Sequence, residues 1–306
     1  MRPSLLTPSQ RRIERWKGHL ALTGQTLIIC GGYVVGREAA QTFDPLFLTG
    51  VRAWGSALLY CLLLPFFLKA KWIKARWHDI PTEWKKRLFV LSIVGILFNQ
   101  MLFNWGLRYT TAATTALIYA LTPSVVYWLS IWIFRRESWR WQKAGALLLA
   151  YGGVVLALWH NLLHASHGWG WTLILMAVGF WAWYLNYSPP IVSRMGAMEV
   201  TTVVMIIGGV LHTPTLCAGL LRQATFPESP GPWWSLAYLI VGMSVMAYLL
   251  LNAGLRYLTP TQTALYISFQ PIGTALLAAA FGQEPLTWQL AGAAALTTGG
   301  MLLFHR

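Results

Sequence analysis

Long apolar runs, separated by short polar breaks, occupy most of the sequence from residue 19 onward. About ten of them reach the ~20 residues that an α-helix needs to cross a bilayer. We place them at 19–38, 45–67, 88–107, 111–134, 141–159, 169–188, 198–220, 233–255, 260–281 and 286–304. The chain is 56% hydrophobic and only 10% charged, unlike a soluble protein. Because irregular backbone cannot face lipid, the sequence predicts an all-α integral membrane protein with ten transmembrane helices.

One stretch of the sequence occurs twice. GLRYTTAATTALIYALTP at 106–123 and GLRYLTPTQTALYISFQP at 254–271 are identical at nine of eighteen positions. The match resumes at an offset of 147 with Glu137/Glu284, Trp141/Trp288, Gln142/Gln289, Gly145/Gly292 and Gly152-Gly153/Gly299-Gly300. Each copy holds five predicted spans, and five is odd, so the copies should cross the membrane in opposite directions. We therefore predict two inverted five-helix repeats, at 19–159 and 169–306.

The basic residues give this arrangement an orientation. With the N-terminus inside, 19 of the 23 Lys and Arg residues fall on the cytoplasmic side, as the positive-inside rule requires. The tail at 1–18 and the C-terminus are then cytoplasmic, and the loop at 160–168 is external. The basic loop FRRESWRWQK (134–143) is inside, whereas its counterpart FGQEPLTWQ (281–289) lacks Lys and Arg and is outside. The net charge of +14 therefore orients the protein and does not indicate nucleic-acid binding.

The two repeated segments, with their continuations to about residues 158 and 304, resemble the halves of an EamA-type member of the drug/metabolite transporter superfamily. YVVGREAAQTFDPLFLTGVRAW at 33–54 resembles that family's first hairpin, with Arg52 at its widespread helix-2 arginine. The resemblance implies a ten-helix inner-membrane exporter of amino acids and other metabolites, with both termini cytoplasmic. It also implies a central cavity lined mainly by helices 1, 3, 4, 6, 8 and 9. Many relatives carry an acid before the helix-9 proline, where this chain has Gln270.

Inverted repeats are a recurring architecture of secondary transporters, which hold their substrate near the membrane midplane. We predict a transporter that exports a small amphipathic metabolite, an amino acid or a derivative, with the direction taken from the resemblance. Another metabolite or drug class, a non-transporting membrane protein and a membrane-embedded enzyme stay open as alternatives. The sequence has no His-Glu-x-x-His signature, paired aspartates or nucleophile with a base, so we expect neither an enzyme nor a cofactor. The expected partners are a small-molecule substrate and lipid, and the oligomeric state is left open.

Polar side chains recur on one face of several predicted spans. Thr115, Tyr119 and Thr122 fall at i, i+4 and i+7, a single stripe on an apolar helix. Unpaired polar groups are costly in hydrocarbon, so these side chains should line a wet cavity. The alternative is hydrogen bonding between helices, worth ~0.6 kcal/mol per bond. The candidate substrate-binding residues are Tyr33, Arg37, Gln100, Asn104, Thr115, Tyr119, Thr122, Trp181, Tyr184, Tyr248, Asn252, Thr263, Tyr266 and Gln270.

Charged residues and prolines inside the spans carry separate predictions. Arg37 is either a substrate anchor or an interface charge. For Arg52 we favour an ion pair with a neighbouring acid such as Glu38, or snorkelling to the interface. Pro123 and Pro271 should break or bend helices 4 and 9 and free backbone carbonyls near midplane.

Two further groups of residues could suggest metal chemistry. His160, His164 and His167 have helical spacing but no Cys or carboxylate partner, so we interpret them as polar loop residues and expect no metal site. Cys30, Cys61 and Cys217 lie in apolar spans without metal-ligand spacing and are interpreted as buried small hydrophobes.

Overall fold

The computed structural model describes residues 8–69, 73, 78, 80–162, 168–283 and 285–304, and every regular element in these ranges is helical. We number the helices to match the predicted spans, with letters for the pieces of an interrupted helix. They are α1 (Pro8–Thr42), α2 (Pro45–Lys69), α3 (Thr82–Arg108), α4a (Ala112–Tyr119), α4b (Thr122–Trp132), α5 (Trp141–Leu162), α6 (Gly168–Tyr187), α7a (Pro189–Met195), α7b (Ala197–Leu211), α7c (Thr213–Arg222), α8 (Gly231–Leu255), α9a (Pro260–Ile267), α9b (Gln270–Ala280) and α10 (Trp288–Phe304).

Five of the described helical segments are long and apolar enough to cross a membrane: Arg15–Thr42, α2, α3, Ala112–Trp132 and α8. The pair α7a and α7b, bent by 117°, would add a sixth. The most apolar part of α2 is only 33% buried, and Leu62 and Phe66 point outward, as expected for side chains in contact with lipid. The protein is therefore a multi-pass membrane protein. The other four spans stay predictions; α10, for example, has 17 residues and extends ~26 Å.

The helices differ from the prediction in three main places: α1 and α3 begin earlier than predicted, α3 at Thr82 where residue 88 was expected, and α7a is an additional short helix. Helix α1 begins at Pro8, inside the segment predicted as a tail, and the short helix α7a was not anticipated. Pro189 and Pro190 open α7a because proline at the first helical positions sacrifices no hydrogen bond. Gly196 then turns the chain into α7b with φ of 108°, a conformation that glycine adopts without strain.

The prediction that Pro123 and Pro271 interrupt their helices is confirmed. The breaks fall at residues 120–121 and 268–269, which are equivalent positions at an offset of 148. Pro123 has no N–H to offer the carbonyl of Tyr119, and the Thr122 hydroxyl donates to that oxygen instead. Both repeats therefore break the same helix at the same place.

Helices α3 and α8 share a second irregularity. Each contains a π-helical stretch, at Ile93–Phe98 and Leu239–Met246, and at an offset of 148 the first range corresponds to 241–246 within the second. Such stretches often occur at functional sites because the wider turn leaves carbonyls available for other partners. One such carbonyl, that of Gly95, accepts a hydrogen bond of 2.8 Å from Tyr248 Oη on α8.

Helices α5 and α10 pack against each other through reciprocal contacts. A Cβ on Gly153 would lie 2.7 Å from Ala293 O, and a Cβ on Gly300 would lie 2.8 Å from Ala146 O. The two glycines are repeat equivalents at an offset of 147, and so are the two alanines. Thr297 Oγ1 also donates to the carbonyl of its own equivalent, Ala150. Residue numbers rise along α5 as they fall along α10, so the two helices are antiparallel.

A second reciprocal contact joins the repeats elsewhere. A Cβ on Gly106 of α3 would lie 3.0 Å from Gly170 O of α6, and one on Gly254 of α8 would lie 2.6 Å from Leu22 Cγ of α1. Gly106 corresponds to Gly254, and Leu22 corresponds to Gly170, at an offset of 148. Each repeat therefore packs its third helix against the first helix of the other.

Candidate functional site

A central cavity lies where the interruptions of the helices meet. Its wall includes Tyr119, the last residue of α4a, and Ile267 and Gln270, on either side of the break in α9. Its volume is about 50 Å³, room for a few water molecules. The described lining residues are Gln25, Ile29, Tyr33, Arg52, Asn99, Gln100, Phe103, Tyr119, Trp181, Met243, Tyr248, Ile267 and Gln270. Helices 1, 3, 4, 6, 8 and 9 contribute, and α2 adds Arg52.

Two aromatic clusters form much of the wall. In one, Tyr33 lies with its ring centroid 5.7 Å from Phe103 and 5.9 Å from Tyr119. In the other, Trp181 stacks on Tyr184 with centroids 5.3 Å apart and meets Tyr248 edge-on at 5.5 Å. Tyr33 and Trp181 are repeat equivalents, so each repeat supplies one cluster. Such rings present flat apolar faces to a ligand and a polar hydroxyl at the edge.

The side-chain amides that line the cavity differ in whether their donors and acceptors have hydrogen-bond partners in the protein. Gln270 Oε1 accepts a 3.0 Å hydrogen bond from Tyr33 Oη, and Asn99 Nδ2 donates to Tyr119 Oη at 3.0 Å. By contrast, Gln100 is 1% exposed, and although the Tyr248 side chain lies beside it, neither atom of its carboxamide makes a hydrogen bond of standard distance and angle. A buried amide without a partner destabilises the folded state, so Gln100 offers a donor and an acceptor to whatever enters the cavity.

Arg52 carries the charge of the cavity. The side chain is 3% exposed; its Nε donates to Ser244 Oγ at 2.8 Å and its Nη1 donates to Asn104 Oδ1 at 3.4 Å. Its guanidinium carbon lies 5.9 Å from the centroid of the Phe103 ring. The prediction of an interface charge or an ion pair is wrong, because Arg52 faces inward and Glu38 instead accepts a hydrogen bond from Ser235 at 2.7 Å.

The chain matches one family twice. The sequence profile described as the EamA-like transporter family covers residues 16–159 and again residues 168–306. The chain belongs to the EamA-like transporter family. The family places it in the drug/metabolite transporter superfamily that the repeated segments resemble.

Two relatives and one solved structure extend this EamA assignment. The chain is 27% identical to the uncharacterized transporter YyaM of Bacillus subtilis (strain 168), over 92% of this chain and 91% of the relative. It is 26% identical, over 76% of each chain, to a probable terminal-alkyne amino-acid exporter of Streptantibioticus cattleyicolor. A crystal structure at 17% identity matches 96% of this chain and 97% of its own with a TM-score of 0.67, which indicates a common fold.

Six of the fourteen candidate site residues line the cavity of this EamA protein. They are Tyr33, Gln100, Tyr119, Trp181, Tyr248 and Gln270. Three others lie immediately behind the wall. Asn104 bonds to Arg52 and to Thr49 Oγ1, while the Tyr184 hydroxyl and the Asn252 amide contact each other at 3.2 Å. These three residues hold lining residues or their neighbours in position.

The other five candidates lie away from the cavity. Thr115 Oγ1 donates to the carbonyl of Thr111, and the Thr122 hydroxyl satisfies the carbonyl of Tyr119. Thr263 is buried without a hydrogen bond to its hydroxyl. Tyr266 Oη contacts His19 Nδ1 at 2.7 Å in a separate surface pocket, and Arg37 is half-buried on α1.

The sequence contained signals for several lining residues that the prediction missed. Gln25, Ile29 and Tyr33 run at i, i+4 and i+8 along α1, and Asn99 and Phe103 have helical spacing beside Gln100. Extending the stripe from Tyr33 by two turns would have found Gln25. Ile267 and Met243 carry no signal, since an apolar side chain can face a cavity, a neighbouring helix or lipid.

The described residues contain no group of three His, Cys, Asp or Glu side chains that could bind a metal ion. The imidazoles of His160, His164 and His167 lie outside the described part of the chain. Cys30 is buried, as predicted, whereas Cys61 and Cys217 are exposed on apolar surface, which corrects the prediction that they are buried.

Proposed function

We propose that the protein is a secondary transporter of the cell inner membrane that exports a small amphipathic metabolite by alternating access. The observation that carries this proposal is the central cavity, whose charged and polar lining lies inside an otherwise apolar helical protein. Charged and polar groups are expensive inside a membrane-spanning protein and typically mark a substrate pathway. The cavity also lies at the breaks of α4 and α9, where unwound backbone can change its conformation at least cost.

We further infer that ten helices cross the membrane as two inverted repeats. The contacts of α5 with α10 support this inference. Gly153 packs against Ala293, and Gly300, the equivalent of Gly153, packs against Ala146, the equivalent of Ala293. Such an exchange of equivalent partners is what a two-fold axis produces. An axis that relates two antiparallel helices is perpendicular to them. If both cross the bilayer, the axis lies in the membrane plane, which is the arrangement of inverted-repeat transporters. The repeats at 19–159 and 169–306 would then exchange conformations.

Amino acids or their derivatives are the substrate class that we propose. A relative at 26% identity is named a probable terminal-alkyne amino-acid exporter, and outward transport is inferred from it. A cavity with a guanidinium, amides and aromatic rings suits a carboxylate attached to an apolar side chain. A volume of about 50 Å³ is far below the ~300 Å³ of small ligand pockets, so the helices must separate to admit a substrate.

The test combines a screen with a reconstituted measurement. Metabolites would be compared in medium and cells with and without the protein, and the best candidates would be measured by counterflow in proteoliposomes. We expect accumulation of an amino acid or derivative in the medium, and saturable counterflow of the same compound. A protein without flux for any candidate would be a non-transporting membrane protein. Chemical conversion of a candidate without movement would indicate an enzyme.

A further inference from the structure

We propose that Arg52 and Gln100 form a carboxylate-binding subsite, and that an ammonium group on the substrate is dispensable for recognition. The inference rests on the proposed function, since it assumes that the central cavity is the substrate site. It goes further in stating what the substrate must carry: a carboxylate, a small polar group beside it and an apolar remainder. Acids that lack an amino group should therefore be accepted.

The first argument is the charge of Arg52. A guanidinium has five N–H donors, and the structure uses two of them, for Ser244 and Asn104. Both acceptors are neutral, and no carboxylate of the described chain forms a salt bridge with Arg52. A buried charge without a counter-ion is unfavourable. A carboxylate that enters the cavity can accept two parallel hydrogen bonds from the unused donors and neutralise the charge.

The second argument is the position of Gln100. Gln100 and Asn104 are four residues apart on one face of α3, and Asn104 accepts from Arg52. The Gln100 amide is therefore about one helical turn from the guanidinium. Its donor and acceptor both lack partners. A substrate whose carboxylate binds Arg52 can place a hydroxyl or an amino group on C2 against that amide.

The third argument is the absence of a negative charge opposite Arg52. No Asp or Glu is among the described residues that line the cavity. An ammonium group would meet only neutral acceptors such as Gln100 Oε1 and the tyrosine hydroxyls. A hydroxyl makes the same contacts and loses less hydration on entry, since burying a charge costs more than burying a neutral polar group. Recognition therefore depends on the carboxylate.

Ligand binding to the purified full-length protein in detergent tests the inference without requiring transport. The probes are three head groups, a 2-amino acid, the matching 2-hydroxy acid and the amino acid amide, each with phenyl, indolyl and isobutyl side chains. We expect each hydroxy acid to bind within about threefold of the matching amino acid. The amides, which lack the carboxylate, should bind roughly 10- to 100-fold more weakly, as expected for loss of charge-assisted hydrogen bonds.

Variants assign the effect to residues. Arg52→Gln should abolish the preference for acids over amides, and Arg52→Lys should bind acids about 10-fold more weakly, because Lys lacks the planar fork. Arg108→Gln is the matched control: Arg108 is exposed and donates to the carbonyl of Phe43, just after the end of α1 and outside the cavity lining. If Arg52→Gln does not fold, Arg52→Lys and Gln100→Leu retain the test. If Arg52 were purely structural, Arg52→Gln would weaken the binding of acids and of amides equally.

Three results would overturn the inference. The first is that amides bind as tightly as acids, or that no acid in the panel binds. The second is that amino acids bind while hydroxy acids do not. The third is that Arg37→Gln removes the preference for acids and Arg52→Gln leaves it intact. Acid binding without any flux in proteoliposomes would instead uphold the subsite and refute the proposed transport.

Discussion

The packing of α5 against α10 allows a quantitative prediction from two pairs of adjacent glycines. A Cβ on Gly153 would lie 2.7 Å from Ala293 O, and one on Gly300 would lie 2.5 Å from Ala150 N. Both neighbours are backbone atoms, so the helices must separate by about 1 Å to restore ordinary contact distances of ~3.5 Å. Their neighbours Gly152 and Gly299 have nothing within 4 Å of a Cβ. The four alanine variants therefore form a matched set.

Replacement of any of these glycines by alanine should gain about 1 kcal/mol of helix propensity. At Gly153 and Gly300 the clash should also cost ~1–3 kcal/mol, as for other overpacked interiors. Since the gain is common to all four variants, the difference between tight and open positions measures the clash. Gly152→Ala and Gly299→Ala should be unchanged or stabilised relative to the parent protein. Gly153→Ala and Gly300→Ala should be less stable than these controls by ~1–3 kcal/mol.

The double variant makes the prediction more specific. Both clashes lie on one helix pair, so a separation forced by Gly153→Ala should partly accommodate Gly300→Ala. The loss of stability in the double variant should therefore be smaller than the sum of the losses in the two single variants, as expected for coupled neighbours. Denaturant titration of the detergent-purified protein, followed by tryptophan fluorescence, measures all five variants. Equal stability of tight and open variants would refute the packing, and a loss at only one tight glycine would refute the two-fold relation.

Three further predictions concern the cavity and the topology. Gln100→Leu should keep or raise thermal stability, because it removes a buried amide that has no partner. The same variant should weaken ligand binding roughly 5- to 100-fold. A parallel fall in thermal stability and in ligand binding would mean that Gln100 is structural. Tyr33→Ala and Trp181→Ala should reduce transport of large substrates more than small ones, since lost aromatic contact grows with ligand size; uniform losses in flux assays would indicate a folding defect. A reporter after Arg306 should be cytoplasmic and one at 160–168 external, and opposite sides for the two termini would contradict the even helix count.

Much of the fold could be predicted from the sequence because lipid imposes simple rules. An apolar run of about 20 residues has few alternatives to a helix, and each predicted span overlaps at least one of the numbered helices. Proline cannot donate to the helix ladder, so the breaks before Pro123 and Pro271 were predictable as well. The helix α7a was not, since a seven-residue helix bent by 117° from the next has no apolar period of its own.

The site was less accessible because polarity alone does not separate a cavity from a hydrogen-bonded helix contact. Gln100 and Asn104 lie on the same face of α3, yet one faces the cavity and the other bonds to Thr49. The stripe of Thr115, Tyr119 and Thr122 shows the same difference. Tyr119 faces the cavity, whereas the two threonine hydroxyls donate to backbone carbonyls three or four residues earlier. Which side chain is left without a partner depends on neighbours from distant parts of the chain.

Arg52 escaped prediction for a related reason: it has no counterpart in the other repeat. The equivalent position, at an offset of 148, is Val200, which is fully buried. A search for polar residues aligned between the repeats therefore misses Arg52. What the repeats do share includes the breaks of α4 and α9 and the π-helical stretches of α3 and α8. Under the proposed alternating access, those shared features would serve a movement that both halves make. A ligand has no two-fold symmetry, so the residue that holds it can come from one repeat alone. If the protein works as we propose, the shared breaks would serve the motion, the aromatic clusters that both repeats supply would contact the apolar part of the ligand, and the unshared Arg52 would hold its carboxylate.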